Sequence, residues 1–66
     1  MYELISDNTG KTVAKCTDLV HAKMVIISLK DHLRKFNDEI TIEEIDRDGN
    51  TIRVMSMYDL ITDWRQ

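Results

Sequence analysis

An α+β domain made of two ββα units is what this sequence predicts, and three observations predict it. The only two glycines, Gly10 and Gly49, sit in matching stretches, Asp7-Asn8-Thr9-Gly10-Lys11-Thr12-Val13 and Asp46-Arg47-Asp48-Gly49-Asn50-Thr51-Ile52. Short apolar runs bounded by these turn residues read as strands. Between the two stretches the apolar period changes to steps of three and four residues, the signature of a helix. The expected order is ββαββα: a four-stranded, mainly antiparallel sheet, a long helix packed on one face, and a short C-terminal helix. Residues 1–66 form a single small domain.

In both turns Asp and Asn can bond the local backbone through their side chains, glycine supplies a positive φ, and a β-branched residue after Thr resumes the strand. A three-residue loop with a bulge at Gly49 pairs Glu43 with Arg53 and Ile42 with Val54, and puts Ile40, Ile42, Ile52 and Val54 on one face. The same loop at Gly10 pairs Glu3 with Lys15 and Asp7 with Lys11. Tyr2, Leu4, Ala14 and Cys16 then face the core, and Ile5, Val13, Ile45 and Met55 lie on the outer face of the sheet.

The long helix is expected from Thr17 or Asp18 to about Phe36, with Leu19, Ala22, Val25, Ile26, Leu29, Leu33 and Phe36 as its core stripe. Thr17 or Asp18 is the N-cap, Lys35 suits the last turn, and Asn37 can take the left-handed closing position. Ser56 and Asp59 form a variant capping box for the second helix, which shows Met57, Leu60, Ile61 and Trp64 on one side.

Hydrophobic residues are 42% of the chain and charged residues 32%, a globular balance. A domain of this size buries only about 60% of its unfolded surface, so its core is marginal and association would help it. One cysteine, Cys16, cannot form an internal disulfide, and no cysteine–histidine spacing suits structural zinc. A reducing, cytoplasmic setting follows as an expectation. No leader pattern and no apolar run near the roughly 18 residues of a membrane span is evident.

The net charge of −3 disfavours a dedicated polyanion binder but is unevenly divided. Lys23, Lys30 and Arg34 share one side of the long helix and could track a phosphate backbone, although no aromatic residues interleave for base stacking. A solvated basic face is the simpler reading. Glu39, Glu43, Glu44, Asp46 and Asp48 make the second hairpin acidic, either as a phosphate-like surface for a partner or as ordinary charges that protect a strand edge.

Val20, Met24 and Ile27 form a second apolar row on the helix, nearly opposite the core stripe. They mark either a self-association or partner surface, or residues covered by the C-terminal helix. His21 and His32 lie about 16 Å apart along a straight helix, too far to share a metal within one chain. The Asp46–Asn50 turn has its glycine too early for a calcium loop, and Met57 stands where the bidentate Glu would be. No nucleophile elbow, phosphate loop or dinucleotide fingerprint occurs. The expected chain is not an enzyme, and no metal or cofactor is expected.

The bare start Met1-Tyr2-Glu3-Leu4-Ile5, the Asp-Arg-Asp-Gly-Asn-Thr-Ile turn at 46 to 52 and the compact acidic end give a chain that resembles, over its full length, short proteins encoded by bacteriophages and prophages of Gram-positive bacteria. The resemblance implies a protein that binds and inhibits or redirects a host protein. The functional expectation is a non-enzymatic protein-interaction module, a homodimer or one half of a complex, contacting its partner through Val20, Met24 and Ile27. The alternative is a small nucleic-acid-binding regulator using Lys23, Lys30 and Arg34.

Overall fold

The computed structural model describes residues 1–62. Strands β1 (Tyr2–Ser6) and β2 (Thr12–Cys16) form the first hairpin, helices α1 (Leu19–Ser28) and α2 (Lys30–Lys35) follow, and β3 (Ile40–Ile45) and β4 (Thr51–Ser56) form the second hairpin. A single 3₁₀ turn, Met57–Asp59, comes next. The sheet order is β2-β1-β3-β4 and every neighbouring pair is antiparallel. The α+β class and the order of elements are therefore those the sequence predicts.

Local signals decide both turns. Gly10 and Gly49 have φ of +72° and +87°, a region open to glycine and costly for residues with a Cβ. In the second turn Asp46 Oδ1 accepts the N–H groups of Asp48 and Asn50, both at 2.9 Å. These bonds hold the Asp46 carboxyl below the ordinary aspartate range, the Asn50 bond most of all.

Registers depart from expectation in both hairpins. Glu3 pairs with Lys15 as predicted, and Tyr2, Leu4, Ala14 and Cys16 face the helices. Val13 is then an extra residue, so that Ile5 lies opposite Thr12, and the N–H of Ser6 donates to the Lys11 carbonyl at 3.0 Å. Asp7 does not pair with Lys11; it accepts a bond from the Thr41 hydroxyl at 2.6 Å.

In the second hairpin Ile42 pairs with Met55, Glu43 with Val54 and Glu44 with Arg53, one residue away from the expected pairs, and Ile52 is the extra residue. Because side chains alternate with period two, this slip exchanges faces. Met55 joins the core side, while Ile52 and Val54 are 59% and 61% exposed. Packing accounts for the choice: Met55 lies beside buried Ile42, and Arg53 reaches Glu44 at 3.2 Å.

The expected long helix is broken at Leu29, with φ −94° and ψ 3°. The preceding Ser28 hydroxyl donates back to the Val25 carbonyl at 2.6 Å, and the Leu29 N–H is shared between Val25 and Ile26. Such back-bonding competes with the helical ladder and bends it. Asp18 is the N-cap, accepting the His21 N–H at 2.7 Å. Asn37 closes α2 with φ +50°, as expected. Phe36, placed on the core stripe by periodicity, is exposed beyond the last turn of α2.

The core is the layer between the sheet and α1: Leu4, Cys16, Ile40 and Ile42 from the strands, Ala22, Ile26 and Leu33 from the helices, and Met57 and Ile61 after β4. α1 lies over β2 and β1. Met57 tucks beneath β3, where its Sδ accepts the Ile40 N–H at 3.4 Å. The Ser56 and Asp59 capping box is present, but among the described residues it caps one 3₁₀ turn rather than the expected short C-terminal helix. Trp64 lies outside the described residues.

Candidate functional site

Three surfaces take up the residues singled out by the sequence. The first is the outer side of α1. Ala22 and Ile26 bind this helix to the sheet, which turns Val20, Met24 and Ile27 outward, 72%, 64% and 49% exposed. Among the described residues nothing covers them; the turn after β4 packs against β3 and joins the core on the inner side of α1. The three side chains occupy one contiguous row at spacings of four and three residues, a geometry suited to lying against another apolar helix or groove.

The basic side is divided by the break at Leu29. Lys23 sits on α1, and Lys30 and Arg34 sit on α2, on either side of that break. His21 and His32 are also placed on separate helices, both exposed.

The acidic residues do not form one surface either. Glu43 and Glu44, adjacent on β3, project to opposite faces. Glu44 shares the helix side with Arg53 and is paired with it. Glu43 accepts the Thr51 hydroxyl at 2.9 Å on the outer face, where it stands opposite Glu3. Asp46 is used by its own turn, Asp48 is exposed at the tip, and Glu39 precedes β3 with its carbonyl accepting the Asp7 N–H at 2.9 Å.

A further surface was not legible beforehand: a cleft of about 500 Å³ between the first turn, α2 and the start of β3. Val13, Leu29, Leu33, Phe36 and Ile40 form its apolar walls, and Ser6, Asp38 and His32 its polar positions. No run of sequence joins these residues; the bulge at Val13 and the left-handed Asn37 bring them together.

Ser6 is buried, and its hydroxyl donates to Asp38 Oδ2 at 2.6 Å. Asp38 Oδ1 accepts the N–H groups of Asn8 at 3.0 Å and Glu39 at 2.8 Å. The Ser6 bond, more than the backbone bonds, holds this carboxyl below the ordinary aspartate range. His32 stacks against Phe36, with ring centroids 4.7 Å apart. Serine therefore meets aspartate directly, whereas a hydrolytic triad needs the imidazole between hydroxyl and carboxylate. The arrangement ties the first turn to the end of α2.

Cys16 is buried and its thiol is pushed up, first by burial and then by the Asp18 charge, away from the thiolate that nucleophilic chemistry requires. Among the described residues no three metal-ligating side chains converge, and no helix is long and apolar enough to cross a membrane. Compared with protein-family models, curated proteins and solved structures, the chain matches none.

Proposed function

We propose that this chain is a small, non-enzymatic protein-interaction module of the cytoplasm that self-associates, or meets a host protein, through the outer face of α1. One observation carries the reading: Val20, Met24 and Ile27 form an uninterrupted apolar row on the side of α1 turned away from the core. A monomer gains nothing from three aliphatic side chains held in water on one helix, whereas burying each against a partner contributes on the order of 1.5–3 kcal/mol when burial is complete. The resemblance to phage-encoded proteins that bind host proteins points to the same class.

A symmetric pair of α1 helices is the simplest assembly, because an isologous contact needs only one self-complementary patch. Sedimentation equilibrium of the wild type and of Met24→Glu tests it. The expected result is a monomer–dimer equilibrium that the variant shifts to monomer while its circular dichroism spectrum stays folded and its melt falls to that of the diluted, monomeric wild type. A monomeric wild type, indistinguishable from the variant at every concentration, overturns self-association. Saturable nucleic-acid binding that is lost when Lys23, Lys30 and Arg34 are replaced by Ala overturns the interaction module in favour of the regulator.

A further inference from the structure

We propose that the free side of β4 is a docking edge for an extended basic segment of another protein, one that sets a lysine or arginine beside Val54. Among the described residues no strand pairs with β4 on the side away from β3. The direction of its backbone groups follows from β3. The N–H of Ile45 donates to the Met1 carbonyl at 2.7 Å, and Asp7 donates to the Glu39 carbonyl at 2.9 Å. Odd-numbered residues of β3 therefore turn their backbone groups toward β1, and even-numbered residues turn theirs toward β4.

The even residues Ile42 and Glu44 stand opposite Met55 and Arg53. Met55 and Arg53 thus bond inward to β3, and Val54 between them directs both its N–H and its C=O to the open edge. At Ser56 the N–H is taken by Asp59 Oδ2 at 3.0 Å, which closes the edge at that end. Val54 is the centre of what a new strand can use.

The two edges of the sheet are defended differently. β2 carries Lys15, with Lys11 just before it, and lies under α1, which discourages pairing. The one charge on β4, Arg53, is drawn back to Glu44 on the helix side. What β4 offers on the outer face at its open centre is the aliphatic Val54, 61% exposed, in a strand without proline.

Charge complementarity selects the occupant. On the outer face one cross-strand row runs Lys15, Glu3, Glu43, Val54. Lys15 approaches Glu3 at 3.6 Å, and Glu43 faces Glu3 with only the neutral Thr51 hydroxyl bonded to it. Like charges directly opposite destabilise a sheet. A cation at the next place in the row lies about 10 Å from Glu43 at the usual strand spacing, a gap that a long cationic side chain and a glutamate leaning toward each other close across Val54. The cation's aliphatic stem would cover Val54. A β4 from a second copy would bring another Val54 to this row, with its one cation, Arg53, turned to the helix side and paired with its own Glu44.

The probe is the capped peptide acetyl-Thr-Lys-Thr-Val-Thr-amide, followed by backbone amide resonances of the isotopically labelled chain. Saturable movement of the Val54 amide is expected, with binding at least about tenfold weaker for the peptide carrying Glu in place of Lys. Binding should be abolished when the peptide's lysine nitrogen is N-methylated, and the lysine preference should fall in Glu43→Gln. Met24→Glu should bind the peptide as the wild type does, which separates this edge from the α1 surface. A Val54 amide that does not respond, or equal affinity for the Glu peptide, overturns the proposal. Concentration-dependent shifts at Val54 without peptide would assign the edge to a second copy and overturn it too.

Discussion

Replacing Asp38 by Ala removes the tie between the first turn and the end of α2, and its effect can be worked from the contacts. Two of its bonds, from the N–H groups of Asn8 and Glu39, are exposed, and water replaces them at small cost. The third is different, because Ser6 is 4% exposed and its hydroxyl donates to Asp38 at 2.6 Å. Without the carboxylate a buried donor is left wanting, which costs about 1–3 kcal/mol. With the exposed bonds added at the low end, the loss is about 2–3 kcal/mol. For a domain of this size each kcal/mol moves Tm by about 4–8 °C, so Asp38→Ala should melt about 10–20 °C below the wild type.

Circular dichroism melts of the wild type, Asp38→Ala, Ser6→Ala and the double variant complete a cycle, with an expected coupling above about 0.5 kcal/mol. The pH dependence fixes the sign. The folded-state carboxyl of Asp38 lies below its unfolded value, so its contribution is fully present above the unfolded value and is lost as pH falls through the folded one. The gap between the wild type and Asp38→Ala should therefore be full near neutrality and narrow as the pH falls into acid. Additive single changes, or a gap that stays constant into strong acid, would refute the reasoning.

The remaining expectations concern the core, the turn, the thiol and α1. Ile26→Ala, at a position with no exposure, should cost about 2–5 kcal/mol in denaturant unfolding, while Val20→Ala on the opposite side of the same helix should stay within about 0.5 kcal/mol at concentrations where the chain is monomeric. Gly49→Ala meets no atom within 4 Å, so its loss of about 1 kcal/mol is purely conformational, and Gly49→Asn should lose less. Cys16 should react with a thiol reagent only after unfolding, with the modification rate tracking the unfolded fraction across a denaturant series. Met24→Glu should weaken association by about a hundredfold or more in sedimentation, since about 1–2 kcal/mol of burial is lost per copy before the cost of a buried carboxylate is added.

Features decided within a few residues were legible in the sequence. Gly10 and Gly49 mark their turns, Asp18 caps α1, Asn37 closes α2, and Ser56 with Asp59 forms the capping box, because each is a local bond or a local φ. The outward row on α1 was legible as well, since helical spacing separates two faces without knowledge of what packs on either.

Register was not. Each hairpin inserts one β-branched residue, Val13 or Ile52, that alternation counts as a regular strand position, and a single insertion reverses every face beyond it. The break at Leu29 coincides with a Ser28 hydroxyl bond to the Val25 carbonyl, a bond that serines make in many unbroken helices and that therefore marks no boundary in a sequence. The cleft joins Val13, Leu33 and Ile40, and only the tertiary fold makes them neighbours.

The strand order has a kinetic consequence. β1 precedes the other three strands of the sheet in the sequence and yet it is central, with β2 on one side and β3 on the other. The two hairpins are local and can close within microseconds, but the ladder from Tyr2–Glu44 to Ser6–Ile40 must wait for both helices and β3 to be synthesised. Joining the hairpins across that ladder is the step with the largest loop-closure entropy, and it should limit the folding rate. On the ribosome the first hairpin would spend the intervening time with β1 unpaired along its inner edge, open to whatever strand arrives first.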